Sequence, residues 1–367
     1  MKLYQVKSHG TKSHKKESRK KEPHKKESPG TKLSGIRLLG TLLFLLLTVC
    51  ILTHSELSLH YAALGLKLWF EKMIPSLLPF MILSGIVIRL GLTQTIASFI
   101  YPLIRPLYRV RKDVCYCMML GFLCGFPMGA RVVADLYARG QLTKEEGEYL
   151  LAFCNNIGPV YYCSFVLPLL HRELVAPYLF GMYGIPALYG IFLRYTCYRG
   201  LDRLFYPKTA VGELSICSPP LSGKMQRGFT LPKNNSKNFF RRGERLLAET
   251  DQSISAAIRS ILTLGGYMIL FNLLNLVPHV IYGRNFSLLS PLLEITGGLS
   301  LLQAQAPLYS LLVLSFGGFS CIAQTYSCIK DSDLSVVDYT IHKIVLTLLN
   351  ALFYFSWFLL SPDSFLR

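Results

Sequence analysis

The side chains best suited to chemistry lie where apolar sequence is interrupted. Gly121 to Pro159 reads GFLCGFPMGARVVADLYARGQLTKEEGEYLLAFCNNIGP. Arg131 could grip a carboxylate with its planar fork. Asp135, one helical turn later, could equally take the same guanidinium, and both readings stand. Asn155 and Asn156 offer uncharged donors and acceptors beside Gly158-Pro159. They suit either a cavity lining or the satisfaction of freed backbone groups. Farther on, Glu294 precedes Thr296-Gly297-Gly298 in an apolar run. A carboxylate at membrane depth suits cation coupling or a proton relay, whereas at an interface it is merely solvated.

These groups need broken helices to position them. Gly121, Gly125, Pro127 and Gly129 interrupt one apolar segment, and Gly317-Gly318-Phe319-Ser320 interrupts another. A half-helix starting near Pro127 or Ser320 presents unpaired N–H groups and a partial positive end, which suits an anion. The competing reading is close helix packing over small residues. Irregular backbone survives in hydrocarbon only inside protein or around a cavity, and broken helices there point to a transporter site. The predicted substrate set is Gly125, Phe126, Pro127, Gly129, Arg131, Asn155, Asn156, Gly158, Gly318, Ser320 and Gln324, with Glu294 the candidate for ion coupling.

The whole chain agrees with a membrane setting. Its 367 residues have a mean hydropathy of +0.37 and only 16% charged side chains, unlike a soluble domain. Residues 1–37 hold 12 Lys/Arg against 3 Asp/Glu, an orientation signal that also attracts anionic lipid. Repeats such as His14-Lys-Lys-Glu-Ser18 and His24-Lys-Lys-Glu-Ser28 mark a disordered tail over 1–34. The ten cysteines are scattered singly through mostly apolar sequence and read as small buried hydrophobes.

The pattern predicts an all-α polytopic membrane protein with about six transmembrane helices and two re-entrant helical hairpins. The spans fall at Leu38–Thr53, Met73–Leu92, Thr143–Leu170, Val175–Tyr195, Ile254–Val277 and Val336–Leu360, with Leu57–Lys72 lying at the interface. A tail (1–34) and first transmembrane segment (35–56) precede one repeat (57–196). A basic cytoplasmic loop (197–253) separates it from a second repeat (254–367). The hairpins are placed at Val114–Arg139, entering from inside, and at Leu308–Lys330, entering from outside. His171-Arg172-Glu173 is an outer turn, and both termini are cytoplasmic by the positive-inside rule. At an offset of 193, Gly125-Phe126-Pro127 meets Gly318-Phe319-Ser320 and Arg131 meets Gln324, an inverted repeat of the transporter kind.

Gly125-Phe-Pro-Met-Gly-Ala130, Gly140-Gln-Leu-Thr-Lys-Glu-Glu146, Phe153-Cys-Asn-Asn-Ile-Gly-Pro159 and Gly317-Gly-Phe-Ser320 with Ala323-Gln324 together resemble the YlbJ (SpoVV) family of sporulation integral membrane proteins. The resemblance runs from about Leu57 to Leu360. It implies nucleoside-recognition (Gate) repeats, a likeness to concentrative nucleoside transporters and a spore-forming bacterium. It also implies a role in passing dipicolinate, a small anionic solute, across the outer forespore membrane.

The sequence offers no HExxH, no Walker loop and no nucleophile motif in a fitting context. No enzyme activity, cofactor, metal or specific nucleic acid is therefore expected. The expected partners are the solute, the bilayer and a coupling ion. His342 stands alone in the last span and reads as a packed residue. A non-transporting scaffold of the sporulation membrane is the alternative; it would tolerate changes at the hairpin tips.

Overall fold

The computed structural model describes residues 30–170, 174–201, 235–283 and 287–362. The predicted outer turn at 171–173, most of the tail and residues 202–234 of the predicted loop lie outside these. The described residues form helices and connecting turns, with no strand among them. Among the described residues six helical segments are long and apolar enough to cross a membrane: Ser55–Arg89, Lys144–Leu169, Val175–Tyr195, Leu246–Tyr282, Pro307–Ile329 and Val336–Leu360.

The chain divides into two units, Met1–Leu46 and Leu47–Arg367. The first contains the start of a helix, Gly30–Thr53, whose leucines at 38, 39, 42, 43, 45 and 46 are exposed. The second contains everything that follows.

The count of six survives, but its membership changes. Leu57–Lys72 is not a separate interfacial helix. Ser55–Leu68 runs through a wide π turn at Trp69–Met73 into Ile74–Arg89. Pro75 and Pro79 follow that turn, which accommodates the carbonyls that these prolines leave without a donor. Trp69 anchors it by donating from Nε1 to the Ile261 carbonyl at 2.8 Å. The end of the predicted loop is also helical. Asn235–Leu273 is one 39-residue helix, because the strong helix formers at 244–249 extend the apolar span backward into polar sequence.

Two short helical pairs fold back on themselves. Lys112–Cys124 packs on Met128–Ala138 around Gly125–Pro127. Gly125 has φ +76°, and a Cβ there would meet the Gly158 nitrogen at 2.2 Å, so the position demands glycine twice over. The second pair is Ser290–Leu293 on Ile295–Leu302. Its turn is the extended residue Glu294, and a Cβ on Gly298 would lie 2.1 Å from the Pro291 nitrogen.

The second hairpin is thus at Ser290–Leu302, not at Leu308–Lys330. Pro307–Phe316 and Gly318–Ile329 form one 23-residue apolar segment, broken at Gly317 and Gly318, where φ is +86° and +79°. Its counterpart is Lys144–Leu169, which is unwound from Asn155 to Gly158. The described residues thus hold two helical hairpins and two broken helices. The offset of 193 had matched a hairpin tip to a helix break, because both need glycine.

Lys144 Nζ lies 3.3 Å from Asp333, and Tyr137 donates its hydroxyl to the same carboxylate. The turn before the last helix thus sits at the Lys144 end of the bundle. Val336–Leu360 then carries the chain about 37 Å away, at 1.5 Å per residue. Leu360 therefore lies at the end of the helix away from Lys144.

Candidate functional site

The first hairpin tip rests on the first helix break. Phe126 N–H donates to the Asn156 carbonyl at 2.6 Å. Asn155 is 1% exposed and joins three elements. Its Oδ1 accepts from Ala130 N–H at 3.3 Å, in the hairpin, and its Nδ2 donates to Thr325 Oγ1 at 3.0 Å and to the Tyr339 hydroxyl at 3.3 Å. Unwinding frees Asn155 from helical geometry, and its amide makes good the neighbouring N–H. The local break has a sequence cause: Pro159 and Gly158 disfavour helix for the residues just before them.

Asn156 turns the other way. Its Nδ2 donates to the Phe153 carbonyl at 2.6 Å, and its Oδ1 accepts from Lys343 Nζ at 3.0 Å. Lys343 also donates to the Ser315 carbonyl at 3.4 Å and stands 6.0 Å from the centre of the Phe126 ring. It is the buried charged centre that sequence reasoning missed. The signal was legible, for Lys343 is the one lysine in Val336–Leu360, directly after His342. That histidine only pairs with the Tyr189 hydroxyl at 2.7 Å.

Glu294 is 1% exposed at the second hairpin tip. Its carboxylate accepts from the N–H groups of Thr296 at 3.1 Å and Gly297 at 2.6 Å, and from Asn272 Nδ2 at 3.1 Å. It caps its own short helix, whose amides favour negative charge there.

Both tips and the first break meet around a cavity of about 30 Å³. Its lining includes Phe126, Pro127, Ile157, Gly158, Glu294 and Gln324, and it has room for roughly one or two waters. Pro127 and Gln324 also line a much larger cleft of about 630 Å³. The small cavity and the cleft therefore adjoin across these two residues and Leu264. The cleft carries Arg89, Arg131, Arg259 and Lys330 against Asp251 and Asp331, four cations to two anions.

Arg131 realises its second reading while keeping the first open. Its Nε donates to Asp135 Oδ2 at 3.0 Å and Nη1 donates to Ser260 Oγ, yet it lines the cleft and remains 28% exposed. Other predicted residues serve packing. Gly129 presses on Asn155, and Gly318 lies against the Pro291 and Leu292 carbonyls of the second hairpin. Ser320 is fully buried and accepts from Gln324 Nε2 at 2.8 Å.

An ion pair also ties the start of the first hairpin to the helix that carries the first break. Arg111 grips Glu146 with two nitrogens, Nε to Oε1 at 2.8 Å and Nη2 to Oε2. Glu146 in turn completes the capping box expected at Thr143. The Glu146 hydrogen bond and charge hold the Arg111 guanidinium above its ordinary range.

No family model and no solved structure matches the chain. It is similar to the sporulation integral membrane protein YlbJ of Bacillus subtilis (strain 168), with 24% identity over 344 residues, 84% of this chain and 80% of that protein. The helical bundle and this similarity together identify an all-helical integral membrane protein that passes through the bilayer several times.

Proposed function

We propose that this chain carries a small anionic solute across a sporulation membrane by alternating access, with dipicolinate the solute that the family resemblance suggests. The observation that carries this reading is the convergence of two hairpin tips and a helix break on a small, largely apolar cavity at the edge of a basic cleft. In a bilayer the two hairpins would be re-entrant. The arginines at 89, 131 and 259 would face the cytoplasm, as the positive-inside rule requires. A cleft of this size matches a small-molecule pocket, and its excess positive charge concentrates anions. Arg131 would exchange Asp135 for a solute carboxylate, and Gln324 and Pro127 would form the floor. The small cavity is closed to anything larger than water, so passage needs the tips to part from the break. Movement of one repeat against the other would open that route. A Gate-type likeness to concentrative nucleoside transporters is consistent with hairpins and broken helices alternating in each half.

The test is uptake of labelled dipicolinate by vesicles containing the purified protein, with nucleosides as controls. Saturable dipicolinate uptake is expected. No uptake of either solute by folded protein, with or without an ion gradient, would sink the reading.

A further inference from the structure

The outward side of the second break carries a groove of about 330 Å³. It lies between Leu292 of the second hairpin, both halves of the broken helix, and the last helix. Val313 is buried at its base, whereas Phe319, Ile344 and Leu348 are 47%, 47% and 61% exposed at its rim. Two lining residues carry hydroxyls, and both protons are spent internally. Thr347 Oγ1 donates to the Lys343 carbonyl at 2.8 Å, and the Tyr309 hydroxyl donates to the Leu288 carbonyl. An occupant of this groove therefore gains apolar contact and little else.

The medium and the length of the groove say what fills it. Pro307–Ile329 and Val336–Leu360 are long and apolar enough to cross a membrane. Ile341 and Leu352, to either side of the groove on the last helix, are 53% and 68% exposed, so this side meets hydrocarbon. Tyr309 is the third residue of Pro307–Ile329, close to one membrane face, where an amphipathic ring is favoured. From Tyr309 to Phe319 the helix rises about 15 Å, half of a hydrocarbon core of about 30 Å. The last helix agrees, for Ile344 and Leu348 fall near the middle of its 25 residues. The groove thus runs from one face to about the midplane, the depth of one leaflet. An acyl chain of that leaflet matches it in length and in chemistry, and an empty groove would forfeit those contacts.

We propose that this groove binds a single phospholipid acyl chain, and that the chain steadies the second helix break. Phe316 and Phe319 flank Gly317-Gly318, with ring centres 5.7 Å apart and planes nearly perpendicular. Both glycines have positive φ, so the backbone between the two rings is the most permissive part of the segment. On the inner side of the same break a Cβ on Gly317 would lie 3.2 Å from Phe126 Cε1, at the first hairpin tip. On the outer side the groove is what the rings face. A chain lying there occupies the space into which Phe319 would swing, so lipid outside and hairpin tip inside hold the same two glycines. The site lies away from the basic cleft and does not depend on the transport reading.

The full-length protein is placed in phosphatidylcholine vesicles with a trace of phosphatidylcholine bearing a diazirine on one acyl chain, and the photoadducts are mapped by mass spectrometry. Lipid that merely surrounds the protein labels by exposure, so Ile341 and Leu352 should then exceed Ile344. A bound chain reverses that order. Adducts should concentrate at Phe319, Ile344 and Leu348 with the diazirine near the chain end, and move to Tyr309 with it near the headgroup. Ile344→Trp fills the groove and should lower labelling of Phe319 and Leu348 about tenfold, the worth of burying roughly two methylenes. Leu352→Trp should leave it unchanged. If Ile344→Trp fails to fold, the wild-type order decides. Labelling that follows exposure would overturn the proposal. So would groove labelling that vanishes as protein is crowded in the vesicle, which would assign the surface to a second copy. In detergent, added phosphatidylcholine should slow hydrogen exchange over residues 314–320 and leave 153–159 unchanged; no slowing there would overturn the steadying role.

Discussion

Asn155 and Thr325, 170 positions apart, share a 3.0 Å hydrogen bond that joins the first broken helix to the second. The same amide reaches Ala130 and Tyr339. Asn155→Leu keeps the size and removes all three contacts. Each buried group left unpaired costs about 1–3 kcal/mol, so thermal unfolding in detergent should fall by several degrees and solute uptake should be lost. Thr325→Val removes one contact and should cost about 1 kcal/mol. Equal effects from the two variants would show that Asn155 does not act as the junction.

Gly125→Ala and Gly140→Ala separate two causes of glycine dependence. Both positions have positive φ, but a Cβ at Gly140 meets nothing within 4 Å, while at Gly125 it meets the backbone of Gly158. Gly140→Ala should cost only the left-handed penalty of about 1–2 kcal/mol. Gly125→Ala should push the tip off the break and yield little folded protein, as judged by size-exclusion chromatography after extraction.

Arg131 and Asp135 are 28% and 35% exposed, so their pair contributes at most about 1 kcal/mol to stability. Asp135→Asn should barely move the unfolding temperature and should leave anion uptake intact or improved. Arg131→Gln should be equally mild in stability yet raise KM for the anion by about tenfold or more, the worth of one charge-assisted hydrogen bond. Normal uptake kinetics in Arg131→Gln would remove Arg131 from the solute site.

Lys144 and Asp333 place the start of the last helix at one face and its end at the other. Single cysteines introduced at Asp331 and Pro362, in a background lacking the native exposed cysteines, should react with impermeant maleimide from opposite sides of a sealed membrane. Labelling of both from one side would refute a membrane-crossing course for Val336–Leu360.

Asp333 has its carboxyl held below the usual range, first by the Tyr137 hydroxyl and then by Lys144. A depressed carboxylate adds stability that is present above its unfolded pKa and lost as pH falls through the folded value. The wild type should therefore lose unfolding temperature below the ordinary carboxylate range more steeply than Asp333→Asn. Identical acid limbs would show that this tie carries no linkage.

Much of the fold was written locally. Runs of apolar residues set the helices, because hydrocarbon admits only segments that satisfy their own backbone. Glycine and proline set the breaks at Gly125–Pro127, Asn155–Gly158 and Gly317–Gly318, and Thr143 with Glu146 set a helix start. These signals act within a turn or two, so they can be read from neighbours. What kind of break each would become was a different matter. A hairpin and an interrupted span both need glycine, and only packing tells them apart: Gly298 lets one pair close on Pro291, while nothing folds Pro307–Phe316 back on Gly318–Ile329. The Pro75 region read as a boundary, yet Trp69 docked on Ile261 carries the helix through it. Likewise Arg131 beside Asp135 was legible at a spacing of four, whereas Lys343 beside Asn156 was not, since 187 residues separate them. The sequence alone determined which segments are apolar and where the backbone would break; tertiary structure decided which breaks face each other and which buried charge closes them, because those contacts depend on long-range packing that no local pattern encodes.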